Sequence, residues 1–201
     1  MRSPECNPGK LTGREELLKE LQTLSGEKRI VAIDGRCASG KTTLASWLAG
    51  KLDADVVHMD DFFLPPMLRT EERRKEPGGN VHYERFQTEV LPKLKSGEPF
   101  SYQRFDCSRM APGERIPVKN KGWVLVEGAY SCHPVLGDYM DLKVFLDIDS
   151  EQQKRRIIMR NGEDRLWDFL QKWIPMEEAY FAAFSVEEGA DYTISANNQE
   201  R

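Results

Sequence analysis

Residues 29–44, RIVAIDGRCASGKTTL, constrain this chain more than any other stretch. Ile30, Val31, Ala32 and Ile33 read as a buried strand, a glycine-bounded loop follows, and Leu44, Ala45, Trp47 and Leu48 then recur at helical spacing. Residues 35–42 match G-x-x-x-x-G-K-[ST] at every fixed position. Gly35 and Gly40 let the backbone bend so that the amides of Arg36, Cys37, Ala38, Ser39 and Thr43 can turn toward phosphate oxygens. The helix opening after Gly40 adds its positive dipole end. Lys41 is placed to reach β- and γ-phosphates, and the Thr42 hydroxyl to ligate Mg²⁺. The stretch predicts a phosphate-binding loop between a parallel strand and a helix.

A chain of 201 residues has room for one domain carrying an inserted lobe. Its net charge of −4 supplies no basic field, which argues against a nucleic-acid partner. No window holds 18 apolar residues and residues 1–10 lack an apolar signal core, so no membrane partner and a cytoplasmic location are expected. Cys6, Cys37, Cys107, Cys132, His58, His82 and His133 show no C-x-x-C or H-x₃-H spacing, and reduced thiols are expected rather than a zinc site or disulfides. Cys37, inside the loop, is a candidate for an oxidation-sensitive thiol.

Ahead of the loop, Leu17, Leu18, Leu21 and Leu24 mark one helical stripe over 14–24. After it, 54–59 reads as a strand ending at Asp60 and Asp61. Ligands in parallel α/β sheets sit beyond the strands' carboxyl ends, so Asp60 should share the loop's edge, while Asp61 is more simply a turn residue. From 67 to 119 the pattern changes to an inserted lobe: a charge run over 69–76 that reads as a solvated helix face, an amphipathic helix over 83–94, and a strand over 100–105 that could pair with 116–118 across 111–113. A third strand over 122–128 ends at Glu127, a Walker-B-like acid placed to organise Mg²⁺ or its waters.

A fourth strand spans 142–148, and Ser150 with Gln153 forms a capping-box pattern. The helix that follows carries Lys154, Arg155, Arg156 and Arg160, breaks at Asn161-Gly162 and resumes with Arg165 close by. Such arginines suit a lid over 150–175 that closes on transferring phosphates; the plain alternative is a charged face. Leu166, Trp167, Leu170, Trp173, Ile174, Tyr180, Phe181 and Phe184 are expected in the core, and 192–194 as the last strand.

In this order, the Walker A loop, Met59-Asp60-Asp61-Phe62-Phe63, the Tyr/Arg hairpin, Val126-Glu127-Gly128 and the arginine-bearing helix resemble the uridine kinase and phosphoribulokinase-like family of P-loop kinases. The likeness runs from about residue 29 to 194. It implies an α/β P-loop fold with a five-stranded parallel sheet, helices on both faces, and ATP- and Mg²⁺-dependent phosphorylation of a hydroxyl on a small molecule. Asp60 matches the catalytic aspartate, Lys41 with Arg160 or Arg165 would face the γ-phosphoryl group, and Thr42 with Glu127 the metal. Phe63, His82, Tyr83, Tyr102, Arg104 and Arg109 fall where such enzymes hold the acceptor. The chain departs from the pattern at Cys107, where uridine kinases carry a histidine, and in lacking the Glu-Arg-Gly-Arg lid run.

A nucleoside such as uridine or cytidine is the first acceptor implied, and pantothenate-like or sugar-phosphate acceptors are the alternatives. A regulatory ATPase or switch is a further reading, against which no D-x-x-G follows the loop and no N-K-x-D occurs. Oligomeric state, including a homo-oligomer, stays open.

Overall fold

Eight strands succeed one another along the chain in the computed structural model, which describes residues 9–196. They are β1 (Gly9–Leu11), β2 (Arg29–Gly35), β3 (Asp55–His58), β4 (Phe100–Asp106), β5 (Ala111–Val118), β6 (Trp123–Glu127), β7 (Leu142–Asp147) and β8 (Tyr192–Ser195). Six form one parallel sheet in the order β1-β8-β7-β2-β6-β3, and β4 and β5 pair antiparallel apart from it. The sheet has six strands rather than the expected five. The extra strand, β1, is three residues with two of them exposed, too short to leave an alternating signature. Cys6 lies outside the described residues.

Continuous apolar runs become central strands because both faces are covered. In β2, Val31 and Ile33 meet α1 (Arg14–Thr23) and α2 (Lys41–Leu52) through Leu17, Leu21, Leu44 and Leu48. Ile30 and Ala32 face the opposite cluster, which holds Phe86, Tyr102, Phe145, Tyr180 and Phe181. Each such fully buried side chain contributes about 1.5–3 kcal/mol relative to exposure. Consecutive strands β2 and β3 are separated in the sheet by β6, and β2's other neighbour is β7, so the loop after β2 opens at a topological switch point, where α/β sheets bind ligands.

Residues 67–119 contain α3 (Glu71–Lys75), α4 (Tyr83–Glu89), α5 (Leu91–Ser96) and the hairpin. The single helix expected over 83–94 is broken at Val90, because Pro92 has no N–H to continue the ladder. The hairpin turns at 107–110 rather than 111–113, and β5 begins already at Ala111. Arg73 in the charge run is not solvated: its guanidinium donates to the carbonyls of Gly79 and Val81 and pairs with Glu84.

After β7 come α6 (Ser150–Asn161), α7 (Glu163–Asp168), a π-helical turn over Phe169–Trp173, and α8 (Ile174–Phe184). The cap of α6 is Asp149, whose carboxylate accepts from the Gln152 amide at 2.8 Å. Ser150 and Gln153 form no capping box, since Gln153 Nε2 donates to the Cys37 carbonyl instead. Of the aromatic and aliphatic residues expected in this core, Tyr180 and Phe181 are buried, whereas Trp167 is 69% exposed and Phe184 lies at the surface. Among the described residues no helix is long and apolar enough to cross a membrane.

Candidate active site

Gly35 ends β2 with φ 135°, and a Cβ there would stand 2.2 Å from the Leu146 carbonyl oxygen. Only glycine lets β2 pass β7 this closely while turning into the loop. Gly40, at φ 99°, caps α2, so Lys41 and Thr42 start the helix whose amino end faces the loop.

The loop forms one wall of a cavity of about 850 Å³. Cys37, Ala38, Ser39, Gly40, Lys41, Thr42 and Thr43 line it, with Asp60 and Phe63 from the turn after β3, Glu127 from the end of β6, and Arg160 from α6. Asn80, Val81, Cys107, Phe169, Trp173 and Glu177 are also among its walls. Lys41 Nζ donates to the carbonyls of Gly35 at 2.7 Å and Arg36 at 2.9 Å. Arg36 itself points away, to Asp147 at 2.7 Å and to Glu178 and Glu187.

Thr42 Oγ1 donates to Glu127 Oε1 at 3.1 Å, and His58 Nδ1 contacts the same carboxylate oxygen. That hydrogen bond outweighs burial and holds the His58 imidazole above its usual pKa. The two oxygen donors form a hard pair suited to Mg²⁺, which takes one or two protein oxygens and keeps several waters. Ser39 Oγ, buried in the loop with no hydrogen-bond partner, fits a cradle that receives an anion. Asp60 opens onto the cavity, yet the surrounding walls push its carboxyl above its ordinary range, burial first and the Glu127 charge second. A carboxylate so poised accepts a proton more readily than a solvated one.

The other sequence-selected residues are dispersed. Arg165 is exposed and pairs with Asp168. Arg156, rather than Arg165, joins Arg160 at the cavity; its guanidinium donates to the carbonyls of Ser39 at 3.1 Å, Ala38 at 3.3 Å and Ala196 at 2.9 Å. Tyr102 is fully buried, its hydroxyl donating to Asp61 at 2.8 Å, and Arg104 reaches the same carboxylate at 3.3 Å. Asp61 thus anchors the hairpin to the turn that carries Asp60. Arg104 and Arg109 line a separate outer hollow of about 500 Å³, and Cys107 borders both spaces. His82 and Tyr83 do not line the main cavity; Tyr83 stacks near His133 with the Arg73 guanidinium 3.8 Å from its ring centre. The Cys37 thiol, expected to be oxidation-sensitive, is pushed up to about 11 by burial and by Glu177, which keeps it protonated and unreactive at neutral pH.

Three acids beyond those chosen from the sequence organise the site or its support. Asp34, fully buried, accepts from the Gly35 and Tyr130 amides through one oxygen and from the Cys132 amide and Tyr180 hydroxyl through the other. Its signal was a lone acid in an otherwise apolar strand. Asp147 holds Arg36 from the end of β7. Glu177 accepts from the Cys37 amide at 2.8 Å and had no signal, being one acid among several on a helix.

No protein-family model matches the chain. Uridine kinase-like protein 5 of Arabidopsis thaliana is 30% identical over 146 residues, a match covering 68% of this chain and 31% of that protein. Uridine kinase of Staphylococcus epidermidis is 27% identical over 145 residues, covering 68% of this chain and 70% of its own length. The chain therefore spans about a third of the plant relative. Among solved structures, a possible uridine kinase from Bacillus stearothermophilus superposes with a TM-score of 0.72 at 19% identity, over 90% of this chain and 96% of that one. At that identity the likeness concerns the fold, an α/β P-loop architecture.

Proposed function

We propose that this chain, uridine kinase-like and built on the P-loop kinase fold, passes the γ-phosphoryl group of ATP to a hydroxyl of a small molecule, a nucleoside such as uridine or cytidine first. The observation that carries this reading is the convergence of Lys41, Thr42, Asp60, Glu127 and Arg160 on one cavity. Phosphoryl transfer asks a protein for positioning and charge stabilisation more than for covalent chemistry. Asp60 orients the acceptor hydroxyl and takes its proton. Lys41 and Arg160 offset charge developing on the transferred group, and Arg156 holds the loop's carbonyl side in place. Thr42 and Glu127 would hold Mg²⁺, which supplies charge neutralisation at the phosphate oxygens when bound.

One observation favours a second acceptor class. Phe63 and Trp173, 5.9 Å apart on the cavity wall, are each overlaid by a cation: Arg69 at 4.7 Å and Lys172 at 4.2 Å from the ring centres. Among the described residues, Arg69, Arg74 and Lys172 have no carboxylate within ion-pair distance. Burial, then the charges of Arg74 and Arg69, lowers the Lys172 pKa. Arg69 and Lys172, seated on two rings of the cavity wall with the charge of Arg74 acting on both, suit an acceptor bearing a carboxylate or phosphate, as pantothenate-like and sugar-phosphate alcohols do. ADP release against uridine, cytidine, pantothenate, glycerate and sugar phosphates tests both readings. Turnover with a nucleoside alone supports the first, turnover with the anionic alcohols alone supports the second, and ADP release indifferent to every added alcohol would overturn both.

A further inference from the structure

The Cys37 amide sits in the turn of the phosphate loop, among the N–H groups that face a bound anion, and in this structure a protein carboxylate already occupies it. Glu177 reaches in from α8, with Oε2 2.8 Å from Cys37 N, and is only 9% exposed. The placement is built rather than incidental. The preceding turn of chain is anchored by Trp173 on the same cavity wall, and the neighbouring Glu178 pairs with Arg36, the loop residue just before Cys37. Two successive carboxylates of α8 thus grip two successive residues of the loop.

We propose that Glu177 serves as an internal stand-in for a phosphate oxygen, holding the loop in its binding shape, and that binding of a nucleoside triphosphate is coupled to uptake of one proton by this carboxylate. The inference rests on the phosphate-loop reading and goes beyond it. The groups facing Glu177 are Cys37 and Lys41 of the loop and its helix, Asp34 of β2, Asp60 after β3 and Tyr130 after β6. Arg156 and Arg160 of α6 line the same space. Lys41 is the main cation among these that offsets Glu177, and a triphosphate draws on that same charge. Once phosphate oxygens stand beside Lys41, the Glu177 carboxylate faces an added anion in a place with little water. A proton from solvent moving onto its oxygen leaves a neutral acid that no longer repels the ligand. Burial already raises this carboxyl to about 7 in the unliganded protein, so the proton is within reach at neutral pH.

The sign follows from linkage. A group whose pKa rises on binding takes up a proton, and affinity then falls as pH climbs from the free toward the bound value, by up to about tenfold per pH unit. Calorimetric titration with Mg²⁺ and a non-hydrolysable ATP analogue, repeated in buffers of different ionisation enthalpy at pH 7.5, counts the protons directly. Wild type should take up a large fraction of one proton and lose on the order of eightfold in affinity between pH 7 and 8.5. Glu177→Gln, which keeps an oxygen to accept from Cys37 N, should lose that uptake and bind with a flatter pH profile. Carboxyl ¹³C titration of Glu177 in the unliganded wild type needs no variant and should give a midpoint near 7. Uptake that persists unchanged in Glu177→Gln, pH-independent affinity in wild type, or a Glu177 midpoint near 4.5 would each overturn the proposal while leaving the kinase reading intact. Failure of the analogue to bind either protein would overturn the phosphate-loop reading along with it.

Discussion

Replacing Asp34 by asparagine removes a charge without changing shape, and the structure gives the consequence bond by bond. The asparagine oxygen can keep the Gly35 and Tyr130 amides, which now share one carboxylate oxygen at 2.7 and 3.3 Å. Its NH₂ must then face the Cys132 amide and the Tyr180 hydroxyl, now at 2.9 and 2.8 Å from the other oxygen. Tyr180 can turn its hydroxyl to accept, but the Cys132 N–H meets another donor and is left buried without a partner, at about 1–3 kcal/mol. The retained bonds lose their ionic character, worth roughly another 1–2 kcal/mol. Against this, burial holds the Asp34 carboxyl above its ordinary pKa, so neutralising it relieves part of the desolvation. A net loss of about 2 kcal/mol should remain, lowering Tm by roughly 4–8 °C for a chain of this size. Urea denaturation of wild type, Asp34→Asn and Tyr180→Phe measures it, and the tyrosine variant, losing a bond to the carboxylate, should cost about 1.5–3 kcal/mol. Asp34→Asn within 0.5 kcal/mol of wild type would refute the view that this carboxylate clamps β2 to the 128–132 loop and α8.

Three further outcomes follow from the site. Asp60→Asn should bind nucleotide with near wild-type affinity while acceptor-dependent ADP release falls by at least about a hundredfold; a variant retaining wild-type turnover would remove Asp60 as the proton acceptor. Gly35→Ala drives a methyl group into the Leu146 backbone at a positive φ, so soluble yield or Tm should collapse, a loss on the order of 3 kcal/mol or more. Glu177 titrates in the folded protein at about 7, against 4.5 when exposed. Its contribution to stability is thus fully present below about pH 4.5 and lost as pH rises through 7, roughly 3–3.5 kcal/mol in all. Unfolding free energies measured from pH 5 to 8 should therefore decline in wild type and stay flatter in Glu177→Gln.

The strand-loop-helix of residues 29–52 was legible because its constraints are local: a run buried on both faces, a glycine where no Cβ fits, and a helix starting at the loop's end. Asp60 and Glu127 could be placed on the same edge because parallel strands deliver their carboxyl ends to one side. What stayed hidden depends on distant partners. Glu177 looks like any helix-surface acid until α8 packs on the loop, about 140 residues from the amide it meets. His82 and Tyr83 were drawn toward the acceptor by resemblance, yet Arg73 and His133 claim Tyr83. The capping pattern at Ser150 failed because Asp149 is the better-placed acceptor and Gln153 found the Cys37 carbonyl.

The position of β1 also bears on how the chain is made. Its only ladder partner among the described residues is β8, with Gly9 opposite Tyr192. A ribosome adding 5–20 residues per second needs roughly 9–37 s to travel from one to the other. For that interval the first strand has no neighbour to pair with, while β2, β6 and β7 can already assemble around the loop. This sheet edge therefore closes last during synthesis, and Ala196, whose carbonyl Arg156 grips from beside the loop, arrives only then. A nascent chain should acquire its central strands well before its nucleotide cradle is fully braced.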